Sequence, residues 1–120
     1  MSQIVGKISA GVIDALKLDL KPDQPIYLGE SNIAHMKSRH PEDYQRYGAL
    51  LGQILEHPDY VGQNPKDGSI EYVKEFQIDG EFVKVAVRLS GSGSLYARSL
   101  YVLNRNRVHN FIQRGTLKKV

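Results

Sequence analysis

Two histidines near one another, His35 and His40, flank Lys37 and Arg39 and stand just before Pro41. An imidazole with an ordinary pKa of ~6.5 exchanges a proton at neutral pH, and adjacent cations hold a phosphate. The five-residue spacing is not the i, i+4 pattern of a helical metal pair, and no carboxylate partner stands beside them. Proton transfer next to a phosphoryl group is therefore the chemistry that His35, His40 and Lys37 fit. The competing reading makes His40 a cap for the helix that follows it and His35 a surface residue. His57 and His109 read as surface residues.

A second constellation lies further along: Glu71, Lys84, Arg88, Ser99 and Tyr101. Cleavage of RNA by transesterification needs a base for the 2′-hydroxyl, an acid for the leaving 5′-oxygen and cations on the phosphorane, with no metal or cofactor. Placed on one face, these side chains meet much of that need. The opposing reading is the ordinary charge pairing of a solvated sheet. Lys74 falls on the otherwise apolar face, where a lone charge is costly, so it either snorkels to the edge or is held there for function. Other templates fail. The chain has no Cys, which excludes disulfides, thiolate metal sites and a thiol nucleophile. Gly91–Ser92–Gly93 lacks the downstream Gly and Lys of a phosphate loop, and no carboxylate cluster suggests two metals.

The elements that must position these groups follow from pattern. Residues 11–20 read as a short helix, stopped by Pro22 and Pro25, and 26–28 as a short strand. Ser31 or Asn32 caps a second helix, which Pro41 ends by pushing His40 out of the α region. Pro41 then opens a third helix whose apolar face is Tyr44, Tyr47, Leu51, Ile54 and Leu55. Residues 70–78 and 81–89 flank Asp79–Gly80, which predicts a two-residue hairpin turn with Glu71 opposite Arg88 and Glu75 opposite Lys84. The turn at Ser90–Gly91–Ser92–Gly93 then places Ser99 opposite Lys84 and Leu95 opposite Arg88. One face (Ile70, Tyr72, Phe76, Ile78, Val83, Val85, Val87, Leu89, Leu100, Val102) should pack on helices. The other, with Glu71, Glu75, Lys84, Arg88, Ser99 and Tyr101, should face a groove or water. Arg105–Asn106 breaks the third strand, 108–114 forms a helix, and Thr116–Leu117–Lys118–Lys119 adds a last strand. The expected architecture is α+β, with N-terminal helices packed on a small antiparallel β-meander.

The chain has 120 residues, 41% of them apolar and 24% charged, enough for one domain with its own core. No apolar run reaches the ~18 residues of a membrane span, and residues 1–10 carry no secretory pattern, so a cytoplasmic place is expected. Charge is unevenly distributed. Residues 1–81 hold eight bases and thirteen acids, a net −5; residues 82–120 hold eight bases and no acid. Either these bases pair with acids from the first part, or they form a face for a polyanion.

An ordered series of short motifs resembles the phage-associated nuclease families of the barnase–EndoU–colicin–RelE-like superfamily. It runs from His35 and Arg39–His40–Pro41 through Pro58–Asp59–Tyr60–Val61–Gly62 and Asn64–Pro65–Lys66. It continues with Ser69–Ile70–Glu71 and Lys74, then Leu95–Tyr96, Ser99–Leu100–Tyr101 and Gly115–Thr116–Leu117–Lys118. The resemblance implies a barnase/EndoU/RelE-like fold, with 1–25 a helical extension and 26–120 the nuclease-like core. It also implies a metal-independent ribonuclease of toxin or effector type. Catalysis would rest on His35, His40 and Ser99, and phosphate binding on Lys37, Lys74, Lys84, Arg88, Tyr101 and Thr116. RNA is the expected partner, with a cognate inhibitor protein besides, and neither a membrane, a metal nor a cofactor is called for. Two further classes share the same basic face: a non-catalytic nucleic-acid-binding domain, and a protein-interaction module of a phage-derived protein.

Overall fold

The computed structural model describes residues 2–120. Strand β1 (Gln3–Lys7) leads into helix α1 (Ala10–Leu16), whose first turn is capped by the Ser9 side chain accepting from the Val12 N–H at 3.2 Å. After β2 (Pro25–Leu28) comes α2 (Glu30–Arg39). Gly29 is its N-cap, and Asn32 reaches back from the third helical position to accept the Gly29 N–H at 2.9 Å. The helix thus opens ahead of the Ser31 or Asn32 cap that its sequence suggested. Pro41 opens α3 (Pro41–Tyr47), as its fixed φ favours. The single long helix expected from Pro41 onward is three pieces: α3, one 3₁₀ turn (Gly48–Leu50) and α4 (Leu51–Glu56). The break falls at Gly48, a poor helix former that lies directly against the Tyr44 ring. No helix among the described residues is long and apolar enough to cross a membrane.

The remaining strands are β3 (Tyr60–Gln63), β4 (Ile70–Phe76), β5 (Glu81–Leu89), β6 (Leu95–Leu103) and β7 (Leu117–Lys119), with α5 (Arg105–Arg114) between the last two. They form one sheet in the order β1-β2-β6-β5-β4-β3-β7, antiparallel throughout except for the parallel β2–β6 pair. The fold is α+β. Its sheet is wider than the sequence pattern suggested, because β1 and β3 are too short to show alternation, while the last strand expected at 116–119 is present as β7. Residues before 26 supply β1 and α1, and Ile8 and Val12 lie in the main core.

The hairpin register differs from the sequence expectation. Asp79–Gly80 is not a two-residue turn: Phe76 pairs with Glu81 across a four-residue loop, and only Gly80 takes positive φ. Glu71 therefore faces Ala86 rather than Arg88, and Glu75 faces Phe82 rather than Lys84. The cause is long-range. The buried Tyr47 hydroxyl lies 3.0 Å from Asp79 Oδ2 and 2.9 Å from Glu81 Oε1, and Arg46 pairs with both carboxylates. These contacts anchor the loop to α3. Burial first, then the two carboxylates, push the Tyr47 hydroxyl above its ordinary pKa and so preserve it as a donor. Ile78, expected in the core, is fully exposed at the loop tip, and Leu89 is half exposed. On the other side of β5 a bulge at Arg98 leaves Ser99 opposite Ala86, Tyr101 opposite Lys84 and Leu95 opposite Leu89.

The β4–β5 slip is two residues, so those side chains keep their faces. Past the Arg98 bulge the β5–β6 pairing is one residue off the expected register, and Leu95, expected beside Arg88, is buried in the main core instead. The helix-covered face holds the main core, including Met36, Tyr47, Ile54, Tyr72, Val85 and Leu100. The opposite face is not simply solvated. Val73, Phe82 and Leu103 on it are buried under Val108 of α5 and Leu117. α5 begins at Arg105, three residues earlier than expected, because Asn104 caps it by accepting from the Asn106 and Arg107 N–H groups.

Candidate active site

β2 pairs with β6 only at Leu95 and Tyr96, which leaves the far half of β6 without a strand neighbour on that side. α2 and α3 cover this edge, and Asp43 in the first turn of α3 accepts the Val102 N–H at 3.0 Å. That contact fixes where the α2–α3 break lands. His40, C-cap of one helix and N-cap of the next, has φ −140° and ψ 69° and makes no side-chain capping bond. Its backbone serves the cap, and its imidazole is free for another role. The ring stacks on Tyr101, with centroids 4.7 Å apart and planes at 26°.

Tyr101 joins His40 to the charged face of the sheet. The Lys84 ammonium sits 4.8 Å from the centre of the Tyr101 ring and 2.7 Å from Glu71 Oε2. The Lys84 and Glu71 side chains are only 13% and 18% exposed, so this pair is largely desolvated. Burial alone would lower the lysine pKa, but Glu71 and Tyr101 outweigh it and hold Lys84 above its ordinary value. The result is a fixed, permanently charged ammonium behind Tyr101.

His35, Arg39, His40, Ser99 and Tyr101 line one concavity of about 450 Å³. On the far side of Tyr101 a second, of about 380 Å³, is lined by Glu71, Lys84, Asn64, Lys66, Thr116 and one face of α5. Tyr101 is the wall between the two. Among the described residues, no three His, Asp or Glu side chains are grouped so as to hold a metal ion.

The structure thus gathers His35, His40, Ser99 and Tyr101 in one concavity, with Lys84, Tyr101 and Thr116 in its neighbour. Thr116 donates its hydroxyl to the Phe111 carbonyl at 3.0 Å. Three other expected residues lie elsewhere. Lys37 sits over the Tyr44 ring on another side of α2, since two positions from His35 is just over half a helical turn. Lys74 donates to the His57 carbonyl at 2.8 Å, ending its snorkel on the C-terminus of α4. Arg88 is held 2.7 Å from Asp67 Oδ2, and Arg105 is held 2.9 Å from Glu75 Oε2. Of the eight bases in residues 82–120, three are paired with acids: Lys84, Arg88 and Arg105.

The sequence put both Lys37 and Arg39 beside the histidines and favoured Lys37, whereas Arg39 is the one that lines their concavity; Arg107 and Arg114, as walls of the second concavity, were missed. A signal for the latter was present: Arg107, Phe111 and Arg114 recur at i, i+4 and i+7, one face of a helix.

The family model of phage-Barnase-EndoU-ColicinE5/D-RelE like nuclease3 matches residues 2–110. The chain belongs to this nuclease family. The matched span takes in β1 and α1 as well as His35, His40, Glu71, Lys84, Ser99 and Tyr101, and it ends inside α5. No curated protein and no solved structure matches the chain.

Proposed function

We propose that this member of the phage nuclease family is a metal-independent endoribonuclease of toxin or effector type. Its reaction is attack of the substrate's own 2′-oxygen on the adjacent phosphorus with expulsion of the 5′-oxygen, leaving a cyclic phosphate. His40 and His35 share the two proton transfers, one accepting from the 2′-hydroxyl and the other donating to the 5′-oxygen. Arg39 takes the phosphate contact first assigned to Lys37, Ser99 orients the phosphate, and Lys84 supplies fixed positive charge behind Tyr101. The observation that carries this reading is the His40 imidazole, free of capping duty, stacked on Tyr101, the ring that also receives the Lys84 ammonium. The finer fold reading, a barnase/EndoU/RelE-like arrangement, is supported by β4, β5 and β6 running antiparallel in chain order with α2 and α3 against β6. An effector of this kind acts on cytoplasmic RNA and has a cognate inhibitor protein as its second partner.

The test is incubation of the purified protein with RNA in EDTA, reading product ends by mass spectrometry. Cyclic-phosphate ends support the reading. Binding without cleavage across pH 5–9 would move the assignment to a non-catalytic nucleic-acid-binding domain. Absence of binding even at low salt would leave the protein-interaction module.

A further inference from the structure

A third concavity lies along the same strand, β6. It has a volume of about 590 Å³ and is lined by Asn32, Arg88, Tyr96 and Arg98, with Glu30 and Ser31 also on its wall. Arg98 is next in sequence to Ser99, and Asn32 precedes His35 by one turn on the same face of α2, so this concavity adjoins the one holding His40. Tyr101 in turn borders both the His40 concavity and the one under α5. Tyr96, Ser99, Tyr101 and Leu103 thus mark out a track along β6, ~23 Å from first to last at strand spacing.

Each stretch of this track holds a guanidinium without a carboxylate partner among the described residues. These are Arg98 at one end, Arg39 in the middle, and Arg107 and Arg114 at the other end. Glu71, which lines the track, is spent on Lys84, and Arg88 at its end is held by Asp67. Arg98 reaches the track through the β6 bulge, which leaves it unpaired with β5 and exposed. Aromatic surface accompanies the charge: Tyr96 packs with Tyr27 at 5.8 Å, and Arg107 lies 5.7 Å from the Phe111 ring centre.

Resting on the ribonuclease reading, we propose that the substrate is a single strand of at least three nucleotides laid along β6. The scissile phosphate sits at His40, Ser99 and Arg39. One flanking sugar-phosphate sits at Arg98 beside Tyr96, and the other at Arg107 and Arg114 beside Phe111. A duplex does not fit this use, because single phosphates must enter the concavities along β6, with bases splayed onto aromatic rings.

Two measurements on synthetic oligoribonucleotides of two to six residues test this, each oligonucleotide carrying one cleavable linkage. Cleavage kcat/KM should rise roughly tenfold or more with each flanking nucleotide until both ends of the track are filled, the scale of a charge-assisted contact. Arg98→Ala should shrink the gain from one side, and Arg107→Ala with Arg114→Ala the gain from the other. The exposed Lys21, changed to Ala, should alter neither. Fluorescence anisotropy with uncleavable 2′-O-methyl versions reads the same track without chemistry. Affinity should climb with length and lose that climb in the Arg98 variant. Equal affinity at all lengths, indifference to Arg98, or equal binding of duplex and single strand would overturn the track. Length-dependent binding without cleavage would retain it and remove the nuclease reading instead.

Discussion

The His40 imidazole lies over the Tyr101 ring, 4.7 Å between centroids, while the same ring receives the Lys84 ammonium at 4.8 Å. One aromatic side chain thus couples a titratable ring on the helical layer to a buried charge on the sheet. The α2–α3 break and the β6 edge meet at this point because Asp43 satisfies the Val102 N–H.

Replacing His40 or His35 by Ala should reduce RNA cleavage by roughly 10²–10⁴-fold, the usual contribution of a general acid or base. Thermal unfolding should shift little, since the His40 side chain makes no capping bond and His35 is exposed. RNA carrying 2′-O-methyl at the cut should resist the wild type. Cleavage by either variant at the wild-type rate would remove that histidine from the reaction.

Tyr101→Phe keeps the stacking surface and should retain most activity, whereas Tyr101→Ala removes the wall between the two concavities and the surface on which His40 rests. The expected pattern is a kcat loss for the Ala variant that Phe rescues. Equal loss in both would point instead to the hydroxyl as the working group.

Glu71→Gln leaves Lys84 largely buried without its counter-charge, and urea unfolding should report a loss of about 2–4 kcal/mol. Lys84 is raised, so this pair stabilises the fold fully below the lysine's unfolded pKa and ceases to do so only as pH rises through the higher folded value. The wild-type advantage over Glu71→Gln should therefore persist at neutral pH and fade in strong alkali. A Glu71→Leu, Lys84→Met double variant should recover much of the stability while losing cleavage.

Asp67 accepts from the Ser69 N–H at 2.9 Å, the Ser69 hydroxyl at 2.7 Å and Arg88 at 2.7 Å. These bonds, the backbone one foremost, lower its pKa to about 2. A depressed carboxylate stabilises the fold above its unfolded pKa of 3.8 and loses that contribution as pH falls toward about 2. Asp67→Asn should flatten the decline of the melting temperature across this window. An unchanged acid limb would show that other carboxylates govern it.

The sequence by itself determined the class of the fold and, over most of β4 to β6, the face each side chain takes. Pro41 fixes a break at His40 because proline excludes the α conformation before it. Period-two alternation puts Glu71, Lys84, Ser99 and Tyr101 on one face whatever the pairing, since a slip of two residues preserves parity. Only the tertiary structure decided who touches whom. Tyr47 and Arg46 draw Asp79 and Glu81 to α3, which lengthens the turn and hands Glu71 to Lys84 rather than Arg88. Val108 and Leu117 bury Val73, Phe82 and Leu103, which folds α5 over the sheet and turns Arg107 and Arg114 toward Lys84. A local pattern records which face a residue takes. It does not record contacts between segments distant in the chain, because their energy is gained only when the chain has closed on itself.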